Sequence, residues 1–375
     1  MTYFTLFMTF LKLGCTSFGG PAAHLGYFQK VFVEQKRWLK PDEYAQLIAF
    51  SQFLPGPSSS QVGFAIGYER AGIGGALAAF FGFTLPSFIL LYLLAVIPSD
   101  TNPYLQAATL GLKLFAVVIV LDAVISMAKS FCTKQLTAIA CLSSATLVLL
   151  APYIYTQLII IIGAAIVGLI ISKKEHSSTI KIKRPKVIPA FIFLLAVLIA
   201  IFAQGDIANT FSAFFYAGSL VFGGGHVVLS LLQSMLPNFN QDQFLLGYAA
   251  AQSVPGPMFT LATYLGAVAH PANPLLFATI ATFAIFLPGF LLLLTFKDSW
   301  KALANHSQFS QALALINASV VGFLLAALYQ PIFTSSVHQA SDLAVVLIGF
   351  ICLRFLKMKI LFLVLAFVTL SVLLH

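Results

Sequence analysis

Two Pro-Gly-Pro tripeptides interrupt apolar stretches of this chain, in FSQFLPGPSSSQVGFAIGY at 50–68 and in AQSVPGPMFTLATYLG at 251–266. Proline removes an amide donor and clashes with the preceding helical turn, and glycine adds an entropic cost. The sequence around the breaks is nonetheless that of a membrane protein. Only 8% of the 375 residues are charged and 60% are hydrophobic, whereas a soluble domain carries about 25% charged residues. Runs such as AVVIVLDAVISMA and QLIIIIGAAIVGLIIS read as spanning helices. The chain is therefore an all-α polytopic membrane protein that breaks its own helices at membrane depth.

The net charge of +9 is distributed over short loops between apolar runs. That is the positive-inside pattern, and it forms no basic face for nucleic acid. Cys15, Cys132, Cys141 and Cys352 lack CxxC or metal spacing and fall mostly inside apolar stretches, as reduced packing cysteines do. The segment MTYFTLFMTFLKLGC has no basic n-region and no small-residue cleavage site, so it does not read as a removable signal. HExxH, GxSxG, Walker and grouped Cys/His patterns are all missing from the sequence. The expectation is a protein that is not an enzyme, takes no cofactor and binds no metal.

The chain contains a repeat of itself. FLKLGCTSFGGPAAH (10–24) recurs as FFYAGSLVFGGGH (214–226), AFSQFLPGPSSS (49–60) as AAQSVPGPMFT (250–260), and FTLPSFILLYLL (83–94) as IFLPGFLLLLTF (285–296). The three motifs keep one order at nearly one offset. This divides the chain into a first repeat (1–172), a basic linker with a connecting apolar helix (173–207), and a second repeat (208–375). A single unpaired crossing between repeats with an even number of crossings gives them inverted topology, as in many secondary transporters.

Loop charge bears on this topology. QKVFVEQKRWLK (29–40) is rich in Lys and Arg, yet it would face outward if 4–19 and 43–68 were simple crossings. The conflict disappears if SFGGP and LPGP are tips of re-entrant hairpins that enter and leave on one face. Then the N-terminus, the 29–40 loop, Arg70 and the 172–187 linker are all cytoplasmic. The alternative is about thirteen simple spans of ordinary length.

Broken backbone at membrane depth persists only where it is buried in protein or lines an aqueous cavity. Each break also presents free amides at a helix N-terminus. Ser58, Ser59, Ser60 and Gln61 follow Pro55-Gly56-Pro57, and Thr260 follows Pro255-Gly256-Pro257. Gly19, Gly20 and then His24 form the first glycine-rich tip, and Gly223, Gly224 and then His226 the second. Gln52 and Gln252 each stand three residues before a break, placed to bond a ligand or the broken backbone. Two such copies aimed at one midplane site suit an anion, and tetrahedral oxyanions above all.

With these motifs in hand, the chain resembles the chromate ion transporter family in its long, two-domain form. The paired FLKLGCTSFGGPAAH and SQFLPGP, and VFGGGH and AQSVPGP, carry the resemblance over nearly the whole length. It implies an inner-membrane, multi-pass carrier for chromate and related oxyanions such as sulfate, with efflux driven by the proton motive force. The second copy departs from the first: Gly225 replaces Pro21 and Met258 replaces Ser58, so the half-sites are not equivalent. A channel with paired re-entrant tips is the alternative class. The partners expected are the small oxyanion, a coupling proton and lipid, with a homodimer left open.

Ionisable residues inside spans mark function by default. Lys12 precedes the first glycine tip and is a candidate for substrate contact. Asp122 is a candidate for proton coupling or for pairing with Lys12. Lys113, the second coupling candidate, lies nine residues before Asp122 on the same helix, turned about 900° from it, so the two face opposite sides. Asn317, equivalent to Lys113 in the second repeat, is a further polar candidate. Pro86 and Pro288 are read as kinks only.

Overall fold

The computed structural model describes residues 2–97, 103–171, 185–222, 225–236, 239–297 and 307–374. Among them every regular element is helical. The first half runs through α1 (Tyr3–Thr16), α2 (Gly20–Phe28, continued by a π-helical turn, Gln29–Gln35), α3 (Pro41–Phe53), α4 (Ser58–Val96), α5 (Pro103–Phe131), α6 (Gln135–Leu150) and α7 (Ile154–Ile171). A connecting helix, α8 (Val187–Phe202), follows. The second half runs through α9 (Asp206–Leu220), α10 (Val228–Met235), α11 (Gln241–Ser253), α12 (Leu261–Ala269), α13 (Pro274–Phe296), α14 (Ser307–Ala327), α15 (Ala340–Arg354) and α16 (Ile360–Leu374). Four stretches among the described residues are long and apolar enough to cross a bilayer unaided: Ser58–Val96, Ala107–Phe131, Pro274–Phe296 and Ser310–Ser336. The molecule is a multi-pass, all-α membrane protein.

The element α4 is two helices in one. Ala71 (φ −152°) and Gly72 (φ +62°, ψ −152°) leave helical geometry, so residues 58–70 form one arm and 73–96 a separate helix. The second half has the same pair as two elements, α12 and α13, with a turn between them. Side by side with 73–96 runs α1, seated through glycines. A Cβ on Gly14 would lie 2.6 Å from the Phe83 carbonyl, and one on Gly74 would lie 2.9 Å from the Tyr3 ring. Gly218 seats α9 against the Ile285 backbone of α13 in the same way. Small residues permit this close approach where lipid supplies no hydrophobic drive between helices.

The 29–40 segment and the end of the 58–70 arm lie together. Arg70 Nη2 donates to the Trp38 carbonyl at 2.6 Å, and Trp38 is flanked by the cations of Lys36 and Arg70. Lys297, just past α13, pairs with Glu69 at 2.6 Å and lies over the Tyr68 ring. The 29–40 segment, the bend after Arg70 and the end of α13 are thus neighbours, and α13 runs opposite to the 73–96 helix. In the second half, Thr210 Oγ1 near the start of α9 meets His270 Nε2 just past α12 at 3.3 Å. An impermeant maleimide is expected to label single cysteines placed at Lys36 and at Glu69 from the same side of the membrane. Labelling from opposite sides would make 58–70 a through-going span.

The two halves are interleaved. Helix α14 packs on α6 and α7, while α15 and α16 pack on α5. Between the halves lies an aromatic layer: Phe64 stacks on Phe290 at 4.2 Å, and Phe80 meets Phe286 and Phe290 edge-on at 5.1 Å each. Offset-stacked and edge-to-face rings are the preferred arrangements of aromatic quadrupoles. The phenylalanines here serve packing, as read from the sequence.

Candidate functional site

The four broken tips meet. Gly56 N–H donates to the Val221 carbonyl at 2.8 Å, and Gly256 N–H donates to the Ser17 carbonyl at 3.0 Å. Each Pro-Gly-Pro turn of one half is therefore tied to the entrance of the glycine-rich tip of the other. Glycine is required at both turns: φ is +116° at Gly56 and +106° at Gly256. A Cβ would also lie 3.0 Å from Gly289 Cα at the first and 2.8 Å from Ser87 Oγ at the second. Ser87 and Gly289 directly follow Pro86 and Pro288. The two LPxF motifs, read above only as kinks, are therefore the surfaces on which the opposite turn rests.

The first-half tip carries buried polar groups that the protein does not satisfy. His24 is fully buried, with Nδ1 3.2 Å from Ser59 Oγ. Its ring meets Phe83 edge-on at 5.2 Å and lies against the Ser17 backbone. Gln61 Nε2 bridges the halves, donating to the Pro55 carbonyl at 2.9 Å and the Gly289 carbonyl at 3.1 Å. His24 Nε2, Ser17 Oγ, Ser60 Oγ and Gln61 Oε1 are buried without a hydrogen-bond partner. Most buried polar atoms in folded proteins are paired, so such a cluster marks a place built for water or a polar ligand. Pro57 caps α4 without a side-chain hydrogen bond, which leaves the amides of the Ser58–Ser60 turn uncapped by side chains.

The second-half tip is satisfied internally. His226 Nδ1 lies 2.9 Å from Tyr248 Oη and 3.2 Å from Gln252 Nε2, and Gln252 also contacts Met258 Sδ. Thr260 Oγ1 donates to the Pro257 carbonyl at 2.7 Å, so this hydroxyl supports the broken backbone. Gly223 and Gly224 lie outside the described residues. Tyr248 stands where the first half has Ile48, and its sequence signal was a lone polar ring in an alanine-rich arm. Tyr248→Phe is expected to lower transport severalfold, because a buried hydrogen bond of about 1 kcal/mol that orients His226 is lost. Initial flux rates and the melting temperature in detergent would check it, a wild-type rate dismissing the orienting role.

The ionisable candidates fall elsewhere. Asp122 pairs with Arg354 Nη1 at 2.7 Å, and the same nitrogen reaches Ser126 Oγ at 2.8 Å. The Lys12–Asp122 pair read from the sequence is thus not formed. Helix α15 packs on α5 and delivers Arg354, whereas α1 packs on α4 and leaves Lys12 exposed. Lys113 is buried and pairs with Asp242 at 2.6 Å, across 129 residues of sequence. Gln52 is exposed, unlike its counterpart Gln252. Asn317 is half-buried, with Oδ1 unpaired. Among the described residues there is no cluster of His, Cys, Asp and Glu that could hold a metal ion.

A helical membrane protein whose broken tips cross-brace around uncompensated polar groups has the form of a transporter rather than an enzyme. The chromate transporter family matches it at residues 4–169 and again at 208–372; the chain belongs to this family, whose members are transport proteins. It is 26% identical to a chromate transport protein of Pseudomonas aeruginosa over 86% of this chain and 80% of that one. A probable chromate transport protein of Synechococcus elongatus is 28% identical over 92% of this chain and 87% of its own. An uncharacterized transporter of Methanocaldococcus jannaschii is 26% identical over 86% and 82%. No solved structure matches the chain.

Proposed function

We propose that this protein is a secondary transporter of tetrahedral oxyanions, chromate with sulfate as a second substrate, that exports them across the inner membrane. The observation that carries the reading is the crossed pair of glycine turns, with unsatisfied buried hydroxyl, imidazole and amide groups gathered at the first-half tip. Oxyanions accept many hydrogen bonds at once, and uncapped amides at a helix start favour negative charge. The two family segments fit repeats of inverted topology, with the site near the bilayer midplane. The Lys- and Arg-rich segments 29–40 and 172–187, with the N-terminus, belong on the cytoplasmic side by the positive-inside rule.

The electrical part of the proton motive force can drive such export. A doubly charged anion leaving a cell held at 100 mV, inside negative, releases about 4.6 kcal/mol, twice the value for one charge. Asp122, held by Arg354, is then an architectural ion pair rather than a proton carrier, and His24 and His226 are the remaining protonatable groups at the tips. The test is flux of labelled chromate and sulfate in proteoliposomes, with the potential and the pH gradient imposed separately. Saturable, counterflow-competent flux that follows the potential is expected. Flux that neither saturates nor shows counterflow would make the protein a channel, and flux that follows only the pH gradient would assign coupling to a proton.

A further inference from the structure

The two halves match in sequence and in helix order, yet their hairpins are seated differently. Helix α11 packs against α5, α4 and α16, and α10 against α14 and α7. Residues Phe244–Gln252 are buried throughout. The equivalent α3 packs chiefly against α4 and the 29–35 turn, and α2 against the same two. One face of the first hairpin is open: Ala22, Gly26 and Tyr27 on α2, and Ala45, Gln46, Ala49 and Gln52 on α3, are exposed. Nothing lies within 4 Å of where a Gly26 Cβ would be. The comparison is sharpest at one pair of identical residues, since Ala49 is exposed and Ala249, at the same place in the second hairpin, is 0% exposed.

The open face does not have a lipid-facing composition. Elsewhere the exposed helices present Ile159, Ile162, Ile166 and Ile170, whereas this face is small and polar, with two glutamines, two alanines on α3 and Tyr27 as its one large ring. Polar side chains at membrane depth face water or protein. The first hairpin shares a hydrophobic cluster of Phe10, Phe28, Phe32, Tyr44 and Phe83 with α1 and α4, and of its α3 residues Phe50 joins the main core. On the closed side, Lys113 of α5 pairs with Asp242 at the start of α11; the lysine side chain is 9% exposed and the aspartate 60%. The positions related to this pair by the repeat are Asn317 of α14 and Asp42 of α3. Asp42 is exposed and Asn317 Oδ1 is unpaired.

We propose that the structure is one end state of an access cycle, open along the first hairpin toward the Lys- and Arg-rich face and closed over the second. In it, Lys113–Asp242 is the latch of the closed side. In the opposite state the α3 face carrying Ala45 and Ala49 seats on α14 around Asn317, as α11 now seats on α5, and the second hairpin opens. The proposal rests on the carrier reading, but its test measures access and needs no substrate, so the two fail separately.

The test uses full-length protein in membrane vesicles, with native cysteines replaced by serine and single cysteines at Ala49 or Ala249. An impermeant maleimide is expected to label Ala49→Cys from the basic face and to leave Ala249→Cys unlabelled from the other. Asp242→Asn strands a buried cation in the closed state, so it is expected to raise Ala249→Cys labelling about tenfold and to lower that of Ala49→Cys, within the range of ordinary conformational coupling. Adding Lys113→Met removes that cation and is expected to restore protection. The proposal is overturned if Asp242→Asn leaves Ala249→Cys unlabelled, or if both cysteines label equally in the parent. It is also overturned if Ala49→Cys forms cross-linked dimers, since the open face would then belong to a second copy of the chain.

Discussion

Gly56→Leu and Gly256→Leu are expected to abolish oxyanion flux while leaving the protein inserted in the membrane. Both residues hold positive φ, where an L side chain costs about 1–2 kcal/mol before any contact is counted. Contact adds to this. At Gly56 the first side-chain atom would meet the Gly289 backbone, and at Gly256 the Ser87 side chain. Either substitution would push a turn away from the opposite half and stretch the Gly56–Val221 or Gly256–Ser17 hydrogen bond. The apolar helices that insert the protein lie outside the turns, so expression and insertion are expected to persist. Flux at or near the wild-type rate from well-folded variants would remove the crossed turns from the mechanism. Gly56→Ala carries the φ penalty and the Cβ contact with Gly289 but none of the further bulk of leucine, so it is expected to lower flux less than Gly56→Leu.

The second large effect is expected at the Asp122–Arg354 pair. Breaking a fully buried ion pair by removing one partner costs about 3–5 kcal/mol. Here each side chain is 28% exposed, so solvent reduces the cost to about 1–3 kcal/mol. Arg354→Leu is therefore expected to lower the yield of folded protein and its melting temperature in detergent, because the part-buried Asp122 is left without its counter-ion. Asp122→Asn with Arg354→Leu is expected to recover most of the stability. If the double variant also transports under an imposed potential, Asp122 has no part in coupling. A double variant that is stable but moves anions only by exchange would return Asp122 to a coupling role.

The class of protein, the doubled motifs and the breaks were legible in the sequence because each is a local pattern. Apolar runs report a membrane solvent, and Pro-Gly-Pro reports a helix that cannot continue. The charge of the basic 29–40 segment leads to the expectation that it shares a face with Arg70, and Arg70 lies beside Trp38. Other features were not legible. Arg354 is not offered as a partner for Asp122, and Pro86 and Pro288 are read as kinks only, because nothing local indicates which helix packs on which. Arg354 reaches Asp122 across 232 residues. Tyr248 is not singled out by the sequence because its value lies in facing His226, a contact between α11 and the start of the second tip that only the fold brings about.

By itself the sequence determined that this chain is helical, lies in a membrane, repeats once and breaks at four places. These properties follow from each residue's own chemistry and that of its near neighbours. The tertiary structure decided how the breaks are used. It crossed the glycine turns between halves, chose Asp242 and Arg354 as counter-ions, and seated one hairpin while leaving its twin open. Two nearly matching sequences reach such different burial at Ala49 and Ala249 because packing depends on which faces a neighbouring helix covers, and the interleaved α5 and α14 do not cover the two hairpins alike.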